Sequence, residues 1–338
     1  MIRKLTTAAK YVLSFLLAAV LLYFSFRGVD WAAFAESLKS CKWSYVILSM
    51  LAGATAFAMR GFRWKQILEP IDKGTKTITA INGVMISNVA NMVIPYCGEL
   101  VRCGVITKRS TRVKDSEGVE RPLATYDKVL GTAVLERIWD ILSVIILLAV
   151  LLVFQAGKFS GFLQEKVFTP IASRFQGSLW ILIIAVLLAM AAAISYIIKK
   201  RHSSRLCGRI FGVIRRFTEG FASCLHIKKA WLFFLYTAVI WAMYWLQMVF
   251  IIHALPEISG MGLIDALFIM LVGSFATCLP VPGGFGAYHY IVSLALFSLY
   301  GYPQAGLGIV FATMSHESQA LTMIITGFAS YVYESLKK

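Results

Sequence analysis

Two apolar stretches of this chain are interrupted near their centres by proline and glycine, and they restrict the fold more than any other feature. One reads S-N-V-A-N-M-V-I-P-Y-C-G-E-L-V-R, Ser87 to Arg102; the other reads S-F-A-T-C-L-P-V-P-G-G-F-G-A-Y-H, Ser274 to His289. Backbone that leaves a helix at membrane depth must find internal partners for its N–H and C=O groups. It therefore survives only when buried in protein or lining a polar cavity. A pair of such interruptions, one in each half of a chain, points to a substrate site.

The membrane setting follows from the rest of the chain. Of 338 residues, 59% are hydrophobic and 15% charged, against roughly a quarter charged in soluble domains, and mean hydropathy is +0.73. Apolar runs long enough to cross a bilayer fall near 9–26, 43–60, 129–154, 179–198, 230–253 and 305–331, while the interrupted regions 77–108 and 263–300 add a helix pair each. The expectation is an all-α polytopic membrane protein with about 8–10 membrane helices in one transmembrane domain over 1–338. The run ending at Phe26 continues into Arg27-Gly-Val-Asp-Trp, without the small residues of a signal-peptidase site, so it reads as an uncleaved first span.

Charge placement sets the orientation. The net charge is +16, and Lys and Arg concentrate in the N-terminal tail, 60–76, 102–128, 199–229 and Lys337-Lys338, leaving 27–42, 155–178 and 254–262 poor in them. The positive-inside bias puts the first group and both termini in the cytoplasm. Region 77–108 then enters and returns on the cytoplasmic side, and 263–300 on the external side, as re-entrant or short-span pairs in inverted orientation. The surplus of basic residues fits membrane lipids with anionic headgroups. Nucleic acid would need a soluble basic face interleaved with aromatics, which the chain lacks. Residues 203–229 read as a basic amphipathic helix on the cytoplasmic surface.

Cofactor and catalytic signatures are missing. The six cysteines show no CxxC pair or zinc spacing, no GxxxxGK phosphate loop is present, and neither GxSxG nor HExxH occurs. The expectations are no metal, no cofactor and no enzyme activity.

Charges inside spans are costly and mark candidate sites. In L-E-R-I-W-D, Leu135 to Asp140, Glu136 and Asp140 share a helix face, and Arg137 has Glu136, Asp140 or Glu99 as possible partners. Glu99 and Arg102 follow the first break, with Asn82, Ser87, Asn88 and Asn91 before it. Glu99 suits the first turn of a helix, and Arg102 lies one turn on. In the second break Pro280 and Pro282 forbid a regular helix. Gly283, Gly284 and Gly286 then expose amides at a helix start, an arrangement that binds anions. His289 lies one turn into that helix, and His316-Glu317 form a further polar point in the last span.

The motifs R-G-F-R-W-K-Q-I-L (Arg60 to Leu68), N-x-x-N-x-V-I-P-x-x-G-E-L-V-R (Asn88 to Arg102), L-E-R-I-W-D and L-P-V-P-G-G-F-G-A-Y-H (Leu279 to His289) together resemble the lysylphosphatidylglycerol synthase transmembrane-region family of flippase-like proteins. The resemblance runs over nearly the whole chain. It implies a polytopic helical fold in a prokaryotic cell membrane and movement of a phospholipid, glycolipid or polyprenyl-phosphate lipid between leaflets. Such movement would be passive or driven by an ion gradient. An intramembrane lipid-modifying enzyme and a non-transporting assembly factor are the alternatives. Arg60, Arg63, Arg102 and the 283–286 amides would meet the anionic headgroup, and Glu99, Glu136, Asp140 and His289 would respond to protons. Two positions depart from the family pattern. Tyr96-Cys97 stands where an Arg is frequent between the Pro and the Gly-Glu, and His289 where Glu is frequent. No aminoacyl-transferase domain accompanies the membrane region, so lipid lysylation is not expected.

Overall fold

The structure, a computed structural model, describes residues 15–114, 118–165 and 227–337, with isolated positions between 166 and 226. The expected span at 179–198 and most of the amphipathic segment 199–229 lie outside the described residues. The fold is all-α and polytopic. Its helices are α1 (Phe15–Phe26), α2 (Trp31–Ser40), α3 (Trp43–Leu68), α4 (Thr77–Val93), α5 (Gly98–Arg109), α6 (Tyr126–Leu163), α7 (Ala230–Ala254), α8 (Leu263–Ala276), α9 (Ala287–Tyr300) and α10 (Ile309–Leu336). Among the described residues α3, α6 as far as Gln155, and α7 are long and apolar enough to cross a membrane. The pair α1–α2 makes a fourth if its 85° bend lies within one span. That bend falls where Gly28 takes φ +80 and Asp30 caps α2, its carboxylate accepting from the Ala32 and Ala33 amides at 2.9 and 3.2 Å.

Both interrupted regions form pairs of short helices. At 1.5 Å per residue, α4 and α5 are about 26 and 18 Å long and α8 and α9 about 21 Å each, all short of the roughly 30 Å hydrocarbon core. The first break is forced by Pro95. Ile94 is extended (φ −131, ψ 117), as a residue before proline prefers, and Tyr96 takes φ +60, alone in positive φ among the described non-glycine residues. In the second break Pro282–Gly284 makes a single 3₁₀ turn before α9. The breaks meet: the Tyr96 hydroxyl donates to the Cys278 carbonyl at 2.6 Å.

α3 is the element around which the others pack. Ser49 and Gly53, one turn apart, let α7 approach closely, the small-residue packing expected where lipid removes the hydrophobic drive between helices. The Ser49 hydroxyl donates to the Gln247 carbonyl at 3.2 Å, and the Gln247 amide returns a bond to the Ser49 carbonyl at 3.3 Å. Further along, a side chain at Gly61 would fall 2.5 Å from the Ile81 Cα, so α4 sits directly on this helix. Trp64, Ile67 and Leu68 of α3 form one buried core with Val84, Cys103, Ile106 and Ala133. A larger core joins Ile251, Phe268, Val292, Leu296 and Phe311 from α7 to α10.

One element was not foreseen from the sequence. Arg112–Lys114 and Glu120–Pro122 pair as an antiparallel hairpin between α5 and α6. It is anchored by Asp72 in the loop after α3. The Asp72 carboxylate accepts from the Gly74 amide (2.9 Å), the Ser110 hydroxyl (2.7 Å), and the amide and hydroxyl of Thr111 (2.8 Å each). Burial pushes this carboxyl up, but the hydrogen bonds outweigh it and hold it below its ordinary 3.8. The stabilisation is therefore complete above the unfolded pKa and is lost as pH falls through the lower folded one. Asp72→Asn is expected to cost about 1–3 kcal/mol near neutrality. The gap from wild type should narrow in acid, as read by unfolding in detergent at pH 7 and pH 3. A gap that does not change with pH would show that the charge contributes nothing.

Candidate functional site

The polar centre lies where α3, α5 and α6 converge. Glu136 of α6 is fully buried, and three arginines reach its carboxylate. From α3, Arg60 Nε donates to Oε1 at 3.3 Å and Arg63 Nη2 to the same oxygen at 3.1 Å; from α5, Arg102 Nη1 donates to Oε2. Asp140, one turn further along α6, takes a second bond from Arg63 Nη2 at 2.6 Å and lies 3.7 Å from Arg60. The i, i+4 spacing read from the sequence thus puts both acids against the same guanidinium. Arg137 chooses the third of its possible partners, Glu99, and this pair sits at the edge with Arg137 partly exposed.

Three guanidinium groups therefore face two carboxylates in a largely buried cluster. Arg63 and Arg102 are 0% and 1% exposed, and Asp140, at 19%, is its wettest member. A buried charge is tolerated only when paired and hydrogen-bonded, and here the pairing is incomplete. Arg102 Nε and Nη2 and Arg63 Nε are buried without an acceptor. Arg102 is partly compensated by lying 4.5 Å over the Trp64 ring, a cation–π contact, and the Trp64 indole N–H is fixed by the Thr132 hydroxyl at 3.0 Å. Neither Trp64 nor Thr132 stands out in the linear sequence as part of a charged site. The Arg60 to Trp64 spacing of one turn was the signal that could have found the tryptophan.

An apolar groove of about 520 Å³ opens beside this cluster, between α6 and α7, lined by Trp139, Leu142, Ile146, Phe234, Thr237 and Trp241 among others. The junction is direct. The Thr237 hydroxyl accepts from Arg63 Nη1 at 3.4 Å, and Trp139 precedes Asp140.

The first break is held by side chains rather than left open. Asn91 Oδ1 accepts from the Gly98 amide at 2.7 Å, and a side chain at Gly98 would run into the Ser87 carbonyl. Asn88 is buried with its Nδ2 unpartnered, and Asn82 donates to Glu334 of α10 at 2.9 Å.

The second break is arranged differently. Pro280 is exposed and Pro282 buried, and Gly283, Gly284 and Gly286 all take positive φ, between +58 and +78. The anion-binding expectation for this run narrows, because the Gly284 amide already donates to the Val281 carbonyl at 3.2 Å. His289 is buried in α9 and does not join the arginine cluster. It faces His316 and Glu317 of α10, with the imidazole rings 4.9 Å apart. Arg60, Arg63, Arg102, Glu136 and Asp140 thus form one site, Glu99–Arg137 its rim, and the second break a separate polar point. The family model described as lysylphosphatidylglycerol synthase TM region matches residues 11–327. Neither a curated protein nor a solved structure matches the chain.

Proposed function

Because the chain belongs to the lysylphosphatidylglycerol synthase transmembrane-region family, we propose that it moves a lipid with an anionic headgroup between the two leaflets of a prokaryotic cell membrane, with both termini in the cytoplasm. The observation that carries this reading is the surplus guanidinium: three arginines against two acids, with two donors of Arg102 lacking acceptors. A phosphate oxygen supplies what is missing. It is a strong acceptor, it balances the extra charge, and arginine's planar fork matches it.

The groove between α6 and α7 supports the same reading, since it offers an apolar bed for acyl chains next to the charged cluster. With the cluster this buried, headgroup entry requires α5 to swing Arg102 away from Glu136. The Pro95–Gly98 break at the base of α5 is a hinge suited to that motion. No cofactor is needed, the coupling is passive or ionic, and the lipid leaves chemically unchanged, so the protein is not an enzyme in this scheme.

Purified protein reconstituted in liposomes with labelled lipids tests it, with leaflet exposure and lipid identity followed together. Protein-dependent exchange of unchanged anionic lipid is the expected result. Chemically altered lipid would instead make the protein an enzyme, and neither exchange nor alteration across phospholipid, glycolipid and polyprenyl-phosphate panels would make it an assembly factor; both outcomes overturn the proposal.

A further inference from the structure

His289, His316 and Glu317 converge at the second break, in the shared cavity that their polar character in two apolar segments suggests. His316 Nε2 lies 2.9 Å from the Gly283 carbonyl, which can only accept, so Nε2 carries the proton. The neutral ring then presents the Nδ1 lone pair, and that atom lies 3.1 Å from Glu317 Oε1, itself an acceptor. His289 Nε2 approaches the same oxygen at 3.5 Å. These atoms approach one another only around a positive charge, which either a proton on the imidazole or a metal ion supplies.

We propose that His289 Nε2, His316 Nδ1 and Glu317 Oε1 form a binding site for a divalent metal of the zinc class. The three atoms lie within 4.8 Å of one another. With bonds of about 2.0–2.1 Å, a tetrahedral zinc ion separates its ligands by about 3.3 Å; the two histidine–carboxylate spacings, 3.1 and 3.5 Å, match this, and the two imidazole nitrogens must draw together from within 4.8 Å to close on the ion. Two imidazoles and one carboxylate are a donor set that zinc accepts with a fourth position left open. The surroundings orient His316 as a metal-ligating histidine is normally oriented, whereas the second nitrogen of His289, Nδ1, is buried without a partner. The Gly283 carbonyl fixes the tautomer of His316, and the rings of Phe26, Phe285 and Tyr288 pack around the imidazoles at 4.8–5.7 Å. Glu317 is 45% exposed, so the fourth position is reachable by water or by a ligand oxygen.

The bound ion fastens α9, just after the break, to α10. His316 also grips the Gly283 carbonyl, so the metal holds the Pro280–Gly286 turn in one conformation. Expecting no metal from the sequence rested on linear spacing, and 27 positions separate His289 from His316. Only the antiparallel packing of α9 on α10 brings them together.

The site is tested on tag-free, full-length protein in detergent, stripped with a chelator and titrated with Zn²⁺, then with Co²⁺ as a spectroscopic stand-in. The expected result is one equivalent of metal per chain, visible absorption of low-symmetry Co²⁺, and a higher thermal midpoint with Zn²⁺. His289→Asn and Glu317→Gln should each weaken binding at least about tenfold. The half-exposed Glu317 variant guards against a loss that merely reports unfolding. Absence of binding to wild type, or unchanged binding in both variants, overturns the proposal. Because metal binding is read without lipid exchange, the result stands apart from the outcome for transport.

Discussion

Glu136→Ala is expected to destabilise the protein by about 3–5 kcal/mol, the cost of removing one partner from a buried charge cluster and leaving the others uncompensated. Arg60, Arg63 and Arg102 all reach this carboxylate, and Arg63 and Arg102 have almost no access to water. Removing it leaves three guanidinium groups facing Asp140 alone. Arg102→Met should be far milder. It deletes the surplus positive charge and two donors without acceptors, leaving two arginines against two acids. Replacing Glu136 and Arg102 together should therefore recover part of the loss, since buried pairs removed as a unit are often nearly neutral. Denaturant unfolding of the two single variants and the double variant in detergent gives the cycle. Equal costs for Glu136→Ala and Arg102→Met would mean that the cluster is not held by charge balance.

Gly286→Ala is expected to be the most damaging change at the second break, at about 2–5 kcal/mol. Two penalties combine there. Its φ of +78 disfavours any side chain by about 1–2 kcal/mol, and the added carbon would lie 2.6 Å from the Leu22 amide nitrogen and 2.8 Å from the Ala18 carbonyl of α1. Backbone atoms on α1 cannot yield as a flexible side chain would, so α1 must move off the start of α9, adding an overpacking cost. The Ser25 hydroxyl, which donates to the Gly286 carbonyl at 3.2 Å, moves with it. Gly284→Ala is the natural control. The same φ applies, but its nearest neighbours are 3.6 Å away, at His316 and Thr277. It should cost only the backbone penalty, and similar thermal midpoints for the two variants would contradict the clash.

Much of this was legible in the sequence because proline and glycine act locally. Pro95 and the Pro280/Pro282 pair forbid helix wherever the chain goes next, so both breaks and the short helices flanking them followed from their positions. Charged residues inside apolar runs are equally visible, and Glu136, Asp140, Arg60, Arg63 and Arg102 all stand out in this way. Their partners do not. An arginine in α3 and an acid in α6 meet only through helix packing, which Ser49, Gly53 and Gly61 set by letting α7 and α4 approach α3. The sequence pattern assigns the arginines to a headgroup, whereas in the fold they are engaged with Glu136 and Asp140, and under the proposed function these pairs open before a headgroup binds. The Tyr96–Cys278 bond between the breaks stayed hidden for the same reason, whereas the polar run His316-Glu317 in the last span already pointed to a cavity shared with His289. The hairpin escaped notice because its strands are three residues each and exposed, too short for an alternating pattern to register.

The central point is that the Arg102 guanidinium, paired with Glu136 through Nη1 but with Nε and Nη2 lacking acceptors, is the headgroup's counter-charge. The most direct measurement compares wild type with Arg102→Met in liposomes, following leaflet exchange of an anionic and a zwitterionic lipid side by side. The folded variant is expected to lose at least about tenfold of the anionic exchange, the weight of a charge-assisted hydrogen bond, and to lose less of the zwitterionic exchange, whose phosphate is already balanced by its own cation. Undiminished exchange of the anionic lipid by a well-folded Arg102→Met protein would contradict it.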